Sequence, residues 1–216
     1  MDRGVKRRYR SPQRREEANA TRREIMEAAL RLFSGHGYGR TTMEAVARAA
    51  DLSVATVYLA FRSKLGLLSA LVDDVTADSS LDVQQVLAEA GVDGQVAVGA
   101  RLIRQLHERT AGITGILRAG CGNDPGREAL WYEWQARHLA AVSQVAHHLA
   151  VAGRLRPGVD DGRAADVLYT LSGSETYRQL VIERGWSPVQ FEEWLADSAR
   201  RLVLAEPSQT GADLAP

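Results

Sequence analysis

Between Thr41 and Lys64 the chain has room for only two short helices, and the residues that part them are ones that stop one helix and start the next. Thr41 to Glu44 reads as a capping box, with Val46, Ala47 and Ala50 as the inward face of a helix barely two turns long. Asp51, Leu52 and Ser53 then interrupt it. Aspartate takes a left-handed backbone more cheaply than most residues, and Ser53 is a good N-cap for a third helix from Val54 to about Ala60. Arg62, Ser63 and Lys64 break the pattern again, and Ser63 caps a longer fourth helix whose apolar stripe, Leu65, Leu68, Leu71, Val72 and Val75, ends near Asp78. Upstream, a capping box at Thr21 to Glu24 opens a first helix with Ile25, Ala28, Ala29, Leu32 and Phe33 on one face, closed at Gly35. Two short helices joined by a three-residue turn and flanked by longer ones meet what a DNA-reading helix-turn-helix requires.

Charge agrees with a polyanion partner at this end. Residues 1–64 carry 14 Lys+Arg and 7 Asp+Glu, whereas the remaining 152 carry 13 and 20, so a net charge of zero conceals a basic end on an acidic body. A solvated basic tail would give the same count. Residues 1–18 hold Lys6, Arg7, Arg8, Arg10, Arg14 and Arg15 with almost nothing apolar, which reads as a flexible arm that either enters a minor groove or adds nonspecific attraction.

The match becomes specific when the segment is taken whole. Within Met43–Phe61 the buried places hold Val46, Ala50, Leu52, Val57 and Ala60, with small Ala47 where the helices cross. Together with the paired threonines at 41–42, the run from Thr56 to Phe61 and the Ser63-Lys64 step, residues 21–68 resemble the DNA-binding domain of the TetR family of repressors. The resemblance implies an all-α fold, with an N-terminal three-helix helix-turn-helix domain linked by a fourth helix to a helical ligand-binding and dimerisation domain. On this basis the chain divides into the arm (1–18), the DNA-binding domain (19–78, its helix-turn-helix at about 43–61) and the effector-binding and dimerisation domain (79–216).

What the resemblance implies about function is a transcriptional regulator, a repressor that grips a palindromic double-stranded DNA operator as a homodimer and is released by a small-molecule effector. Ser53, Val54, Ala55 and Thr56 would lie in the major groove, and Thr42, Tyr58 and Lys64 would hold phosphates. Family members usually have glycine where Asp51 stands, often a basic residue or glycine at 54–55, and often aromatic residues or histidine at 59–60. Val54, Ala55, Leu59 and Ala60 remove those hydrogen bonds and leave apolar contact with thymine methyls as the implied readout.

Beyond residue 80 the pattern is helical throughout: roughly 81–90, 94–109, 110–119, 126–152, 162–184 and 188–205. Trp131, Trp134 and His138 fall on one face of the 126–152 helix and suggest either plain core or one wall of an effector pocket, completed by Leu102, Leu106, Tyr169 and Tyr177. Trp186-Ser187-Pro188 stops one helix and restarts another, so the last two segments form an antiparallel hairpin. By resemblance that hairpin meets its twofold mate as a four-helix bundle, with Leu171, Leu180, Phe191, Trp194, Leu195 and Leu202 at the interface; the alternative is an ordinary core within one chain.

Other classes fit less well. Nucleophile elbows, zinc-protease helices and phosphate-cradling loops are missing from the sequence, so no enzyme is expected and no cofactor. The lone Cys121 excludes a cysteine metal cluster, and the neighbouring His147 and His148 point about 100° apart on a helix, so no metal is expected. No apolar run of membrane-spanning length occurs, which suggests a cytoplasmic protein without a membrane partner. The alternative to an effector-released repressor is a constitutive architectural DNA-binding protein.

Overall fold

The first helix begins well ahead of Thr21. In the computed structural model, which describes residues 11–78 and 83–206, α1 runs Ser11–His36. Arg14 to Asn19 are exposed, and Arg, Glu and Ala are good helix formers, so nothing there stops the helix before Thr21. Thr21 is therefore interior to α1 rather than its cap, and the arm expected at 1–18 is helical from Ser11; its first ten residues lie outside the described residues.

The next three helices follow expectation closely: α2 is Met43–Ala49, α3 Val54–Phe61 and α4 Lys64–Asp78. The cap of α2 is Thr42, one residue later than the capping box proposed: its side chain accepts from the Ala45 N–H at 3.2 Å. Thr41 is buried instead, with its hydroxyl donating to the Gly37 carbonyl at 3.0 Å. Asp51 has φ 55° and turns the chain between α2 and α3, as its residue type allows. A second left-handed residue, Arg62 (φ 64°), ends α3. There Gly66 is required, because a Cβ would stand 2.4 Å from the Phe61 carbonyl oxygen.

Farther along are α5 (Val83–Leu87), α6 (Val92–Arg118), α7 (Pro125–Val151), α8 (Asp161–Ser172), α9 (Ser174–Tyr177, continuing as a π-helical turn over Arg178–Glu183) and α10 (Pro188–Val203). No strand occurs among the described residues, and no single described helix is long and apolar enough to cross a membrane. Two boundaries differ from the sequence reading. The helices expected at 94–109 and 110–119 are one, and buried Thr110 lies inside it with its hydroxyl donating to the Leu106 carbonyl at 2.8 Å. The helix expected at 162–184 is broken at Gly173 (ψ 151°) and finishes with a π turn. The restart at α10 is as expected: Ser187 and Gln190 form a complete capping box, with Pro188 in the first turn.

Two compact units result. Among the described residues, one joins those up to 77 with 112–130, and the other joins those between 78 and 111 with those from 131 onward. The core of the first includes Ile25, Ala29, Phe33, Val46, Val57 and Leu68, all at most 1% exposed. That of the second has two clusters, one around Ile103, Tyr177, Phe191 and Leu195 and one around Ala146, Leu149, Ala164 and Val203.

Candidate DNA-reading surface and interior cavity

In the first unit, α3 is fixed at both ends and bare on one side. At its start the Ser53 side chain accepts from the Thr56 N–H at 3.1 Å and shares a 2.8 Å hydrogen bond with the Thr56 hydroxyl. Near its end Arg22 of α1 donates to the Ala60 carbonyl at 3.0 Å and lies 4.2 Å from the centre of the Phe61 ring. Val57 and Phe61 face the core, while Val54, Ala55, Tyr58 and Leu59 face outward. Leu59, 87% exposed, was not among the sequence candidates, although its position two residues from each buried anchor turns it away from the core. Arg22 was missed as well; nothing in its local pattern tells a solvated arginine from one reaching the end of α3.

Thr42, Ser53, Val54, Ala55 and Tyr58 are exposed, and Thr56 is half-buried. Lys64 is placed differently from a free phosphate clamp. Its ammonium donates to the carbonyls of Tyr38 (2.9 Å), Thr41 (3.0 Å) and Gly39 (3.4 Å), which occupies all three N–H groups. Burial, and then the neighbouring Arg127, lower its pKa, partly opposed by Asp124. The Tyr38 ring lies between two cations, Lys64 at 4.4 Å and Arg127 at 4.9 Å from its centre. Asp124 holds Arg127 by a 3.0 Å ion pair, and Gly120 leaves room for that side chain, since a Cβ there would lie 2.6 Å from Arg127. The loop before α2 is thus anchored by residues from α4 and α7.

The second unit holds an apolar cavity of about 90 Å³ that is partly open to its surface. Its walls come from α5, α6, α7, α8 and α10, through residues such as Val86, Ile103, Val142, Leu168, Leu195 and Val203. None of the seven residues expected to line a pocket lines this cavity. Leu106, Trp134 and Tyr177 are buried in the core, and Leu102, Trp131, His138 and Tyr169 are half-buried. Trp134 and His138 begin an α7 stripe that reaches this cavity only at Ala141, Val142, Val145 and Leu149. Polarity drew attention to the aromatic end, whereas the space opens among aliphatic side chains that look like ordinary core.

Beside the cavity lies a group of polar side chains, buried at His107 and half-buried at His138 and Tyr169. His107 Nε2 is 2.8 Å from the Ser172 carbonyl and His138 Nε2 is 2.9 Å from the Ser172 hydroxyl, while Tyr169 donates to Gln135 at 2.6 Å. His107, 3% exposed, packs against Tyr177 and Phe191. Burial pushes its pKa down to about 4, against a weaker upward pull from the Ser172 carbonyl. His138 is pushed down to about 4 as well, by burial and then by His107. Among the described residues no group of three or more His, Cys, Asp or Glu could hold a metal.

The expected dimer face is divided. Phe191 (0% exposed) and Leu195 (4%) belong to the chain's own core, against Ala100, Ile103 and Tyr177, and Leu171, Leu180 and Trp194 pack partly against the same cluster. Leu202 (47%), Val189 (55%) and Ile182 (63%) stay exposed, and Trp186 stands edge-on to Trp194 at 6.3 Å. The inward stripe of α10 is 191, 195, 199 and 203, so Phe191 and Leu195 are unavailable to a partner.

Comparison with known proteins bears on both units. Residues 25–71 match the sequence profile of the bacterial regulatory proteins of the tetR family. The HTH-type transcriptional regulator TtgR of Pseudomonas putida is 31% identical over 112 residues, 50% of this chain and 53% of that protein. The uncharacterized HTH-type transcriptional regulator YvkB of Bacillus subtilis is 29% identical over 89 residues, 41% of this chain and 47% of that protein. The chain thus spans about half the length of the curated relatives it matches. Among solved structures, the SmeT–triclosan complex superposes with a TM-score of 0.74 at 21% identity, over 91% of this chain and 100% of that one. NalD, the secondary repressor of the MexAB-OprM multidrug efflux pump in Pseudomonas aeruginosa, gives 0.70 at 22% identity, over 88% and 98%. At such identities the likeness is one of fold.

Proposed function

Because the chain belongs, through its helix-turn-helix unit, to the TetR family of bacterial regulators, we propose that it is a transcriptional repressor that binds a palindromic operator as a homodimer and is released by a small molecule. The observation that carries this is α3: a helix capped by Ser53, tied down by Arg22 and presenting Val54, Ala55, Tyr58 and Leu59 to the outside. The positive end of the helix dipole at its first turn suits a phosphate, and the apolar side chains suit thymine methyls in the major groove. Thr56 reads a base edge, while Thr42 and Tyr58 position the backbone. Lys64 acts on DNA indirectly, by holding the loop that leads to Thr42.

The cavity favours a ligand-responsive regulator over a constitutive architectural protein, since apolar space left unfilled among core helices costs packing energy that a purely structural domain has no reason to lose. The dimer is formed through the outer side of the last hairpin, where Ile182, Val189 and Leu202 are exposed. Release follows if the ligand binds better to the arrangement whose recognition helices are wrongly spaced for grooves about 34–36 Å apart. Footprinting on DNA upstream of the protein's own gene, with and without added apolar compounds, tests the reading. A protected palindrome that is lost on adding one of them supports it, and uniform protection of any DNA sinks it.

A further inference from the structure

The chemistry of the cavity wall restricts what can enter. Among the described residues that line it there is no Asp, Glu, Lys, Arg or His, and all but two of the side chains are apolar or absent. The exceptions are Gln95 and Ser172, and both use donors elsewhere. Gln95 Nε2 donates to the Glu89 carbonyl at 3.2 Å and lies 3.4 Å from His148 Nε2; Ser172 donates its hydroxyl proton to the Leu168 carbonyl at 2.6 Å.

Behind Ser172 stand the two imidazoles that could have received an anion, and the hydrogen bonds assign their protons. The Ser172 carbonyl can only accept, so His107 carries its proton on Nε2; the Ser172 hydroxyl has already given its proton to Leu168, so it accepts from His138 Nε2. Each ring turns its N–H to Ser172, and burial holds both neutral. An anion entering the cavity meets neither a positive charge nor a free donor on its wall, and a cation meets no carboxylate.

We propose that this cavity selects an uncharged, largely hydrocarbon ligand and rejects anions and cations of the same shape, an inference that rests on the effector-released repressor described above. An ionised group moved from water into such a wall loses its hydration with nothing in exchange, a larger cost than the apolar remainder recovers. The selection is by charge and not by a specific polar contact, so ligands of differing apolar shape are accepted within the available space.

Three probes with one body and different head groups separate the possibilities: 4-phenylbutan-1-ol, 4-phenylbutanoate and 4-phenylbutylammonium, titrated calorimetrically into the full chain at neutral pH. The alcohol binds, and each ion binds more weakly by about 100-fold or more. Ala196→Leu, which fills the cavity from α10, weakens the alcohol about 10-fold or more through overlap. Ala141→Leu, from α7, provides the same test should Ala196→Leu fail to fold, as judged by circular dichroism. Equal or tighter binding of either ion, no binding of the alcohol, or undiminished binding by a folded cavity-filling variant overturns the proposal. Operator binding by the same protein without probes is measured separately. Its absence would sink the repressor reading and leave the charge selection standing.

Discussion

The Lys64 ammonium lies 4.4 Å from the centre of the Tyr38 ring and donates to the Tyr38 carbonyl at 2.9 Å, so one side chain holds the loop between α1 and α2 from two directions. Its three donors are already occupied by carbonyls of that loop. Lys64→Met is expected to cost about 1–2 kcal/mol, because the carbonyls lose charge-assisted partners at a site that water partly reaches. Melting temperature should fall by a few degrees. The salt dependence of DNA binding should keep its slope; a loss of about 0.9 per contact without a melting change would place Lys64 on a phosphate instead.

At the head of α3, Ser53 and Thr56 share a hydrogen bond but are expected to do different work. Ser53→Ala removes the cap and costs about 1 kcal/mol of stability. Thr56→Val leaves the cap in place and changes operator preference by about 1–3 kcal/mol, with little effect on random DNA. Binding titrations on operator and shuffled DNA decide this. Equal losses on both would make Thr56 a positioning residue.

The difference between these two ends of the chain shows what a sequence makes legible. Caps and turns are local, so Ser53, Asp51 and Ser187 disclosed α3, the helix-turn-helix turn and the start of α10 before any coordinates. Thr21 and Thr41 misled because a cap needs a helix that begins there: α1 was already under way at Thr21, and Thr42 took the place of Thr41. Long-range placements were not legible. Arg127 lies 89 positions from Tyr38, and nothing near either residue announces the stacking. The cavity was missed because empty space has no residue type, and its aliphatic lining has the same periodicity as solid core. Phe191 and Leu195 were taken for an interface because an apolar face does not say whether its neighbour is the same chain or another.

The buried histidines give the protein an acid-sensitive core. Imidazole ordinarily titrates near 6.5, and His107 and His138 are each pushed down to about 4, so in that interval the unfolded chain binds protons that the folded one refuses. Stability is therefore fully present above about pH 6.5, falls as pH drops toward 4, and levels off below. For fully buried His107 the loss is of order 3 kcal/mol. Thermal melts from pH 7 to pH 4.5 should show a smaller fall in His107→Gln than in the parent chain. Identical slopes in the two would mean that His107 is not the acid-sensitive group.

On α10, Leu195 and Leu202 should respond differently to the same substitution. Leu195→Arg puts an unpaired charge into the core beside Phe191 and Ile103, and the protein should fail to fold. Leu202, 47% exposed, tolerates arginine within one chain, so Leu202→Arg should keep its helical spectrum and dissociate the proposed dimer. Light scattering measures it. A folded Leu202→Arg dimer would move the interface off this part of α10.

The proposed repression and its relief would both rest on α3 reading a specific sequence and on an occupied cavity releasing it. Fluorescence anisotropy of the full chain on labelled DNA from upstream of its own gene and on a shuffled version, each with and without 4-phenylbutan-1-ol, measures the two together. Affinity for the upstream DNA should be at least about 10³-fold above that for shuffled DNA at physiological salt, with a marked loss of that preference when the alcohol is present. Equal affinity for the two DNAs, or a preference the alcohol leaves unchanged at concentrations that saturate the cavity, would rule this mechanism out.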